Sequence, residues 1–267
     1  MFSARGECGS SLKLRISASR TFFAVTLWYT MENTFGSPSI KFIGTGGAFD
    51  FTSGNSSAVV RHCDKNFLID CGNSVFSRLA SLGMVSEIDG IFITHLHDDH
   101  VGSLTTLLFY RRFVLGKGPI PIYVPSDAFR QLLTAFFRFT MDNPSELATF
   151  HFVSELEGAG SIDTFGRHVV GMPTFAYYFQ GTSASVVYSG DNGDADYLFG
   201  ELNARNLPSP TVFHEIFFHS PIRSHTHYKD LMRWQDRYTI FGYHCDPGHS
   251  PADNHVELVA HHPELLY

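Results

Sequence analysis

The sequence predicts an α/β fold of two β-sheets packed together with helices outside. Three observations carry that expectation. Apolar strand candidates followed by helical patterns occur in the first half of the chain and again in the second, the mark of a layered α/β architecture. At 267 residues the chain is long enough for one large core. Its densest cluster of chemistry-bearing side chains, residues 93–102, follows the apolar run Gly90-Ile91-Phe92-Ile93 directly, and ligands gather outside the carboxyl ends of strands in such folds.

Residues 1–30 combine Arg5, Lys13, Arg15 and Arg20 with many serines and an apolar run at 21–29. That run is shorter than the ~20 residues a membrane span needs, and no small-x-small cleavage site follows it cleanly. Residues 1–36 are therefore expected to be a poorly ordered or artefactual leader, with Met31 as an alternative start. Residues 37–267 are expected to be a single domain.

Ser39-Ile40-Lys41-Phe42-Ile43 reads as the first strand and Gly44-Thr45-Gly46-Gly47-Ala48 as the tight loop leaving it. No helix pattern follows, so the glycines fail the context test for a dinucleotide fingerprint. Residues 57–60 and 66–70 read as a strand pair turning at His62-Cys63-Asp64-Lys65. Residues 75–83 have helical spacing and a glycine stop. A strand at 88–93, a helix at 103–113, a short strand at 121–125 and a helix from Ser126 to about Phe139 follow. The acidic, loop-rich stretch 141–160 is a candidate rim or lid. Later strand candidates are Val169-Val170, 175–179, 184–188, 211–215 and 238–241.

The net charge is −7 and no Lys/Arg run exceeds a pair, which excludes a broad footprint for duplex nucleic acid. Cys8, Cys63, Cys71 and Cys245 show no paired spacing, as expected in the reducing cytoplasm. Cys245 follows His244, yet a packed thiol is its expected state. No later segment is apolar for long enough to span a membrane, so no membrane partner is expected.

His95, His97, Asp99 and His100 fall within six positions. Imidazole and carboxylate are the ligands zinc, manganese and iron prefer. Side chains on so short a turn diverge, so one ion cannot easily take all four, whereas two adjacent ions can. This predicts a dinuclear hydrolase.

Thr94-His95-Leu96-His97-Asp98-Asp99-His100-Val101-Gly102 resembles the THxHxDHxG motif of the metallo-β-lactamase-fold superfamily. Tyr188-Ser189-Gly190-Asp191 resembles its later strand-end aspartate, and Tyr243-His244 its last ligand histidine. The motif order matches over residues ~38 to ~250. His-Leu-His, Tyr-Ser-Gly-Asp and Phe213-His214-Glu215 followed by a histidine motif are most similar to the ribonuclease Z branch and its smaller phosphodiesterase relatives.

The resemblance implies an αββα four-layer sandwich and two divalent ions, zinc first, with manganese or iron as alternatives. One ion would be held by His95, His97 and a third histidine, His168 ahead of His151. The other would be held by Asp99, His100 and His244, with Asp191 bridging. Two such ions ~3.5–4 Å apart share a hydroxide that attacks phosphorus in line with the leaving oxygen. Asp99 would orient that hydroxide. Glu215 and His225 match a strand glutamate and a later histidine that helps protonate the leaving group. The alternative is that His225 and His227 lie at the surface or orient a ligand. His62, His219, His249, His255, His261 and His262 are expected to be solvated.

A phosphodiesterase acting on a small nucleotide or short oligonucleotide is the leading function. Transfer RNA 3′ processing ranks below it, because no basic arm interrupts the short gaps between motifs. Hydrolysis of a lactone, thioester or β-lactam fits Leu96 and Ser103 less well. A di-iron oxygen-reducing role is disfavoured by His97, where that branch carries a carboxylate. Relatives are often dimers, which makes a homodimer the expected assembly. The aromatic set Phe109, Tyr110, Phe136 and Phe137 reads as core by its helical spacing, with a rim or dimer contact near the site as the alternative.

Overall fold

In the computed structural model, which describes residues 36–267 apart from 139, 141 and 142, the apolar runs of the first half pair into one six-stranded sheet. Its strands are β1 (Ser39–Gly44), β2 (Ser57–His62), β3 (Lys65–Ile69), β4 (Gly90–Phe92), β5 (Ile120–Val124) and β6 (Ala148–Phe152), side by side in chain order. The first three are antiparallel; β3 to β6 are parallel. Parallel strands covered on both faces read as unbroken apolar runs, and β4 is buried throughout. Gly90 is needed there, because a Cβ would stand 2.8 Å from the Tyr123 ring.

The second half repeats the plan. Strands β7 (Ala159–Asp163), β8 (Phe175–Gln180), β9 (Ser185–Tyr188), β10 (Pro210–Glu215), β11 (Thr239–Tyr243) and β12 (Glu257–Leu258) form the other sheet, again in chain order. Here β7 to β9 are antiparallel and β9 to β12 parallel.

Helices α1 (Val75–Ser81), α2 (Asp98–Val101), α3 (Leu104–Phe109) and α4 (Asp127–Arg138) belong to the first sheet. They bury Val75, Leu79, Leu104, Leu107, Phe129 and Leu133 in its core. Helices α5 (Ala195–Arg205) and α6 (Tyr228–Met232) cover the second sheet with Leu198, Phe199, Leu202 and Leu231. Asp194 caps α5 by accepting Tyr197 N–H, and Asn206 ends it in the left-handed region. Two mixed sheets flanked by helices are thus the architecture the sequence predicts.

Aromatic rings join the sheets. Phe42 lies 5.4 Å from both Phe213 and Tyr243, and Phe92 5.1 Å from Tyr177, whose hydroxyl donates to the Ile93 carbonyl at 2.8 Å. Burying each such ring contributes about 2 kcal/mol.

Several expectations need correcting. Val169-Val170 is a turn, not a strand: Val170 is 87% exposed and Gly171 follows at φ +83°. Two valines have strand propensity, but no neighbouring strand pairs with them. The stretch 141–160 is no lid, since its described part forms β6 and the start of β7, the edge strands of the two sheets. Phe137 is buried and Phe109, Tyr110 and Phe136 pack against the same core, so the rim alternative falls. His62 is buried rather than solvated, with Nε2 2.7 Å from the Glu157 carbonyl oxygen. Of the expected leader, residues 1–36, all but Gly36 lie outside the described residues, Met31 and Cys8 among them. Among the described residues no helix is long and apolar enough to cross a membrane.

Candidate metal centre

Strand ends deliver the site. The carboxyl ends of β4, β9, β10 and β11 lead to His95–His100, Asp191, Glu215 and His244 respectively. Parallel strands bring these ends to one edge, which is why residues far apart in sequence meet there. His244 sits at φ +64°, unusual for a residue with a side chain and typical of functional turns.

Two donor groups form. In the first, His97 Nδ1 lies 3.0 Å from His95 Nε2 and 3.1 Å from His168 Nε2. Asp191 Oδ2 stands 4.0 Å from His95 Nε2 and 3.7 Å from His168 Nε2. In the second, Asp99 Oδ2 lies 3.4 Å from His100 Nε2 and 3.2 Å from His244 Nε2. Asp191 Oδ1 stands 3.4 Å and 3.7 Å from the same two nitrogens. The two oxygens of Asp191 are therefore divided between the groups.

Divalent ions fit these residues. All donors are imidazole nitrogens or carboxylate oxygens facing a common centre. His100 Nε2 and Asp191 Oδ1 are buried and have no hydrogen-bond partner among the described residues. Such orphans are costly, and a cation between them removes the cost.

Electrostatics divide the donors: against its burial, the Asp191 and Asp70 carboxylates raise His100 well above its ordinary value, holding a proton that a cation would displace. Burial pushes His95 well below its ordinary value, and burial and then His168 lower His97, so both rings are neutral with a free lone pair. Burial opposes ionisation of Asp191 and Asp99, but the surrounding histidines outweigh it and hold both carboxylates ionised.

His168, and not His151, joins the cluster. It comes from the β7–β8 connection, and its Nδ1–H donates to the Ser224 carbonyl at 2.7 Å, which turns Nε2 inward. His151 lies on β6, where it pairs with Glu155 at 3.3 Å.

Sequence reasoning missed Asp70, just beyond β3. Its carboxylate is fully buried and accepts Thr94 N–H at 2.8 Å, the Thr94 hydroxyl at 2.9 Å and His100 Nδ1–H at 2.8 Å. Thr94 Oγ1 in turn accepts from His95 Nδ1–H at 3.0 Å. These contacts fix both tautomers with Nε2 free, the usual second layer of a metal centre. The available signal was position: Asp70 and Thr94 end neighbouring strands.

Glu215 is buried at the end of β10. One oxygen accepts Thr226 N–H at 2.8 Å and Asn192 N–H at 3.3 Å; the other accepts His225 Nδ1–H at 3.2 Å. Burial works against a charged His225, but the Glu215 hydrogen bond and charge outweigh it and lift His225 to about 9. A His225 nitrogen lies within 4.8 Å of ligand atoms of Asp191 and His244. His227 instead stands at the N-terminal boundary of α6 without a side-chain capping bond, its ring 4.5 Å from that of Tyr228 and tilted by 45°. His219, His249, His255 and His261 are exposed, and His262 is half-buried between Glu257 and Glu264.

The sequence model of the family described as Anti-Pycsar protein Apyc1 matches residues 38–262. A relative of that description from Bacillus phage vB_BsuM-Goe3 is 46% identical over 88 residues, 32% of this chain and 34% of the relative. The chain thus spans about a third of the length of this and other phage relatives it matches. The relative from Paenibacillus sp. (strain J14) is 27% identical over 206 residues, 72% of this chain and 82% of its own. Among solved structures, the metallo-β-lactamase fold protein YhfI from Bacillus subtilis matches with TM-score 0.61 at 18% identity, covering 78% of this chain and 86% of that one. Human tRNase Z, short form, matches with TM-score 0.60 at 21% identity, covering 82% and 95%. The fold is the metallo-β-lactamase fold, shared with these two structures.

Proposed function

The chain belongs to the Anti-Pycsar protein Apyc1 family, and on that premise we propose that this metal-dependent hydrolase is a dinuclear phosphodiesterase acting on a small cyclic nucleotide. One observation carries the reading: Asp191 offers one oxygen to each of two buried donor groups. His95, His97 and His168 would hold the first ion, Asp99, His100 and His244 the second, and Asp191 both. Divalent ions bound there supply Lewis acidity, lowering the pKa of a water and neutralising phosphoryl charge.

The protein's own groups do the rest. Asp99, on the second donor group and 11% exposed at its side chain, orients the attacking water. His225, held protonated by Glu215, gives its Nε2 proton to the ribose oxygen as the P–O bond breaks. Water adds to phosphorus and releases a proton to solvent, the electron pair of the broken P–O bond takes the His225 proton, and the nucleoside monophosphate departs. The net charge of −7 and the short gaps between motifs favour this over the gripping of transfer RNA. Zinc as the ion, a homodimer and a cytoplasmic site of action belong to the same proposal; the nitrogen-rich donors favour zinc.

Metal analysis should find two ions per chain, with turnover of 3′,5′-cyclic nucleotides. His225→Ala should lower turnover about 100-fold or more at unchanged metal content. Fewer than one ion per chain with no turnover refutes the proposal. Equal loss of metal and turnover in His225→Ala reassigns His225 to ligation.

A further inference from the structure

The loop between β1 and β2 is tied down at many points, yet it holds two phenylalanine rings in solvent. Phe49 is 88% exposed and Phe51 95%. Between them Asp50 Oδ1 accepts Thr52 N–H at 2.8 Å and Ser53 N–H at 2.9 Å. Gly46 N–H donates to Gly54 O at 2.8 Å. Arg78 on α1 reaches across to the carbonyls of Ile43, Ser53 and Thr52, and Asn55 exchanges hydrogen bonds with Ser74. Scattered apolar residues on a surface need no explanation, but two rings within three positions of a fastened loop form a patch.

The loop also belongs to the metal centre. Thr45 O accepts His244 N–H at 2.7 Å and Cys245 N–H at 3.2 Å. A Cβ at Gly47 would stand 3.8 Å from the Cε1 atom of His244. Phe49 is two residues on, so its Cα lies within about 7.6 Å of that of Gly47. Phe49 and Phe51 thus sit on the loop that flanks His244, two and four residues past Gly47.

We propose that Phe49 and Phe51 form a stacking platform for the nucleobase of the substrate, placed by Gly47 beside His244. This rests on the phosphodiesterase reading. A purine or pyrimidine presents a π-face that an aromatic ring binds, and the fastened loop spares the ordering cost on binding. The contact lies away from phosphorus and is equal in the ground and transition states, so it sets KM and leaves kcat alone.

The test compares a purine 3′,5′-cyclic nucleotide with ribose 3′,5′-cyclic phosphate, which lacks the base. The wild type, the double variant Phe49→Ala/Phe51→Ala and the aromatic control Phe49→Tyr/Phe51→Tyr are measured on both. The alanine variant should raise KM for the nucleotide about tenfold or more. Its kcat, its KM for the base-free substrate and its thermal midpoint should be unchanged, and the tyrosine variant should behave as wild type. An equal change on both substrates, no change on either, or an altered oligomeric state with unchanged KM overturns the platform and leaves the phosphodiesterase reading standing. Wild-type protein that turns over neither substrate overturns that reading and the platform with it.

Discussion

Asp70→Asn tests how the second donor group keeps its lone pair. Each hydrogen bond to this buried carboxylate comes from a donor: Thr94 N–H, the Thr94 hydroxyl and His100 Nδ1–H. Asparagine has almost the same volume, and its carbonyl oxygen still serves Thr94. Its NH₂ then faces His100 Nδ1 across 2.8 Å. Two donors at that distance repel, and the imidazole answers by moving its proton to Nε2, the atom aimed at Asp191. The ring stays in place but stops being a ligand. Losing such an orienting partner costs about 10–100-fold in metal affinity. A hydrogen bond to a charged group is worth about 1.5–3 kcal/mol, which for a chain of this size lowers the thermal midpoint by roughly 3–12 °C. Chelator competition reads the affinity and calorimetry of the metal-free protein reads the midpoint. A variant that binds its second ion as tightly as wild type, while melting early, refutes the tautomer argument and leaves Asp70 as packing alone.

Gly72→Ala should abolish binding at the second donor group and destabilise the fold by more than about 3 kcal/mol. Its Cβ would lie 1.9 Å from the Asp99 carbonyl oxygen and 2.4 Å from its carbon, so the backbone carrying Asp99 must move; metal stoichiometry and a melting curve check both. The pH dependence of stability should include His62. Burial lowers its pKa from 6.5, against the pull of the Glu157 carbonyl hydrogen bond. The stability of its neutral ring is complete above pH 6.5 and is lost as pH falls from there toward the lowered folded value. His62→Gln should therefore flatten the fall in thermal midpoint between about pH 6.5 and 5, and identical slopes for wild type and variant would remove His62 from the account.

Strands were legible where they carry apolar runs buried on both faces, as in Phe67-Leu68-Ile69 of β3, Gly90-Ile91-Phe92 of β4 and Val186-Val187-Tyr188 of β9. Edge elements were not. β7, Ala-Gly-Ser-Ile-Asp, has one buried residue and no pattern to recognise, whereas Val169-Val170 has the pattern and no partner strand. At the site, the cluster at residues 95–100 announced itself by composition. His168 was readable through the resemblance, since nothing in its own surroundings marks it. Asp70 was invisible because a lone aspartate at a strand end has no spacing signature, and its role depends on which strand lies beside it. His62 was misread for the same reason: a histidine in a polar turn sequence is solvated unless another segment covers it, and the residues near Glu157 come from the edge of the other half.

Every pairing between named strands lies within one half of the chain, residues 39–152 or 159–258, with an isolated bridge from Phe42 to Leu266 crossing between them. The donor groups do not respect that division. His95, His97, Asp99 and His100 come from the first half, and His168, Asp191 and His244 from the second. Ions seated between them would act as a clasp: each half can zip its own sheet, but the donor groups come together only once the halves have met. Binding energy at such a site would serve cohesion as well as chemistry. Stripping the ions would then loosen the seam between the sheets before it unravels either one.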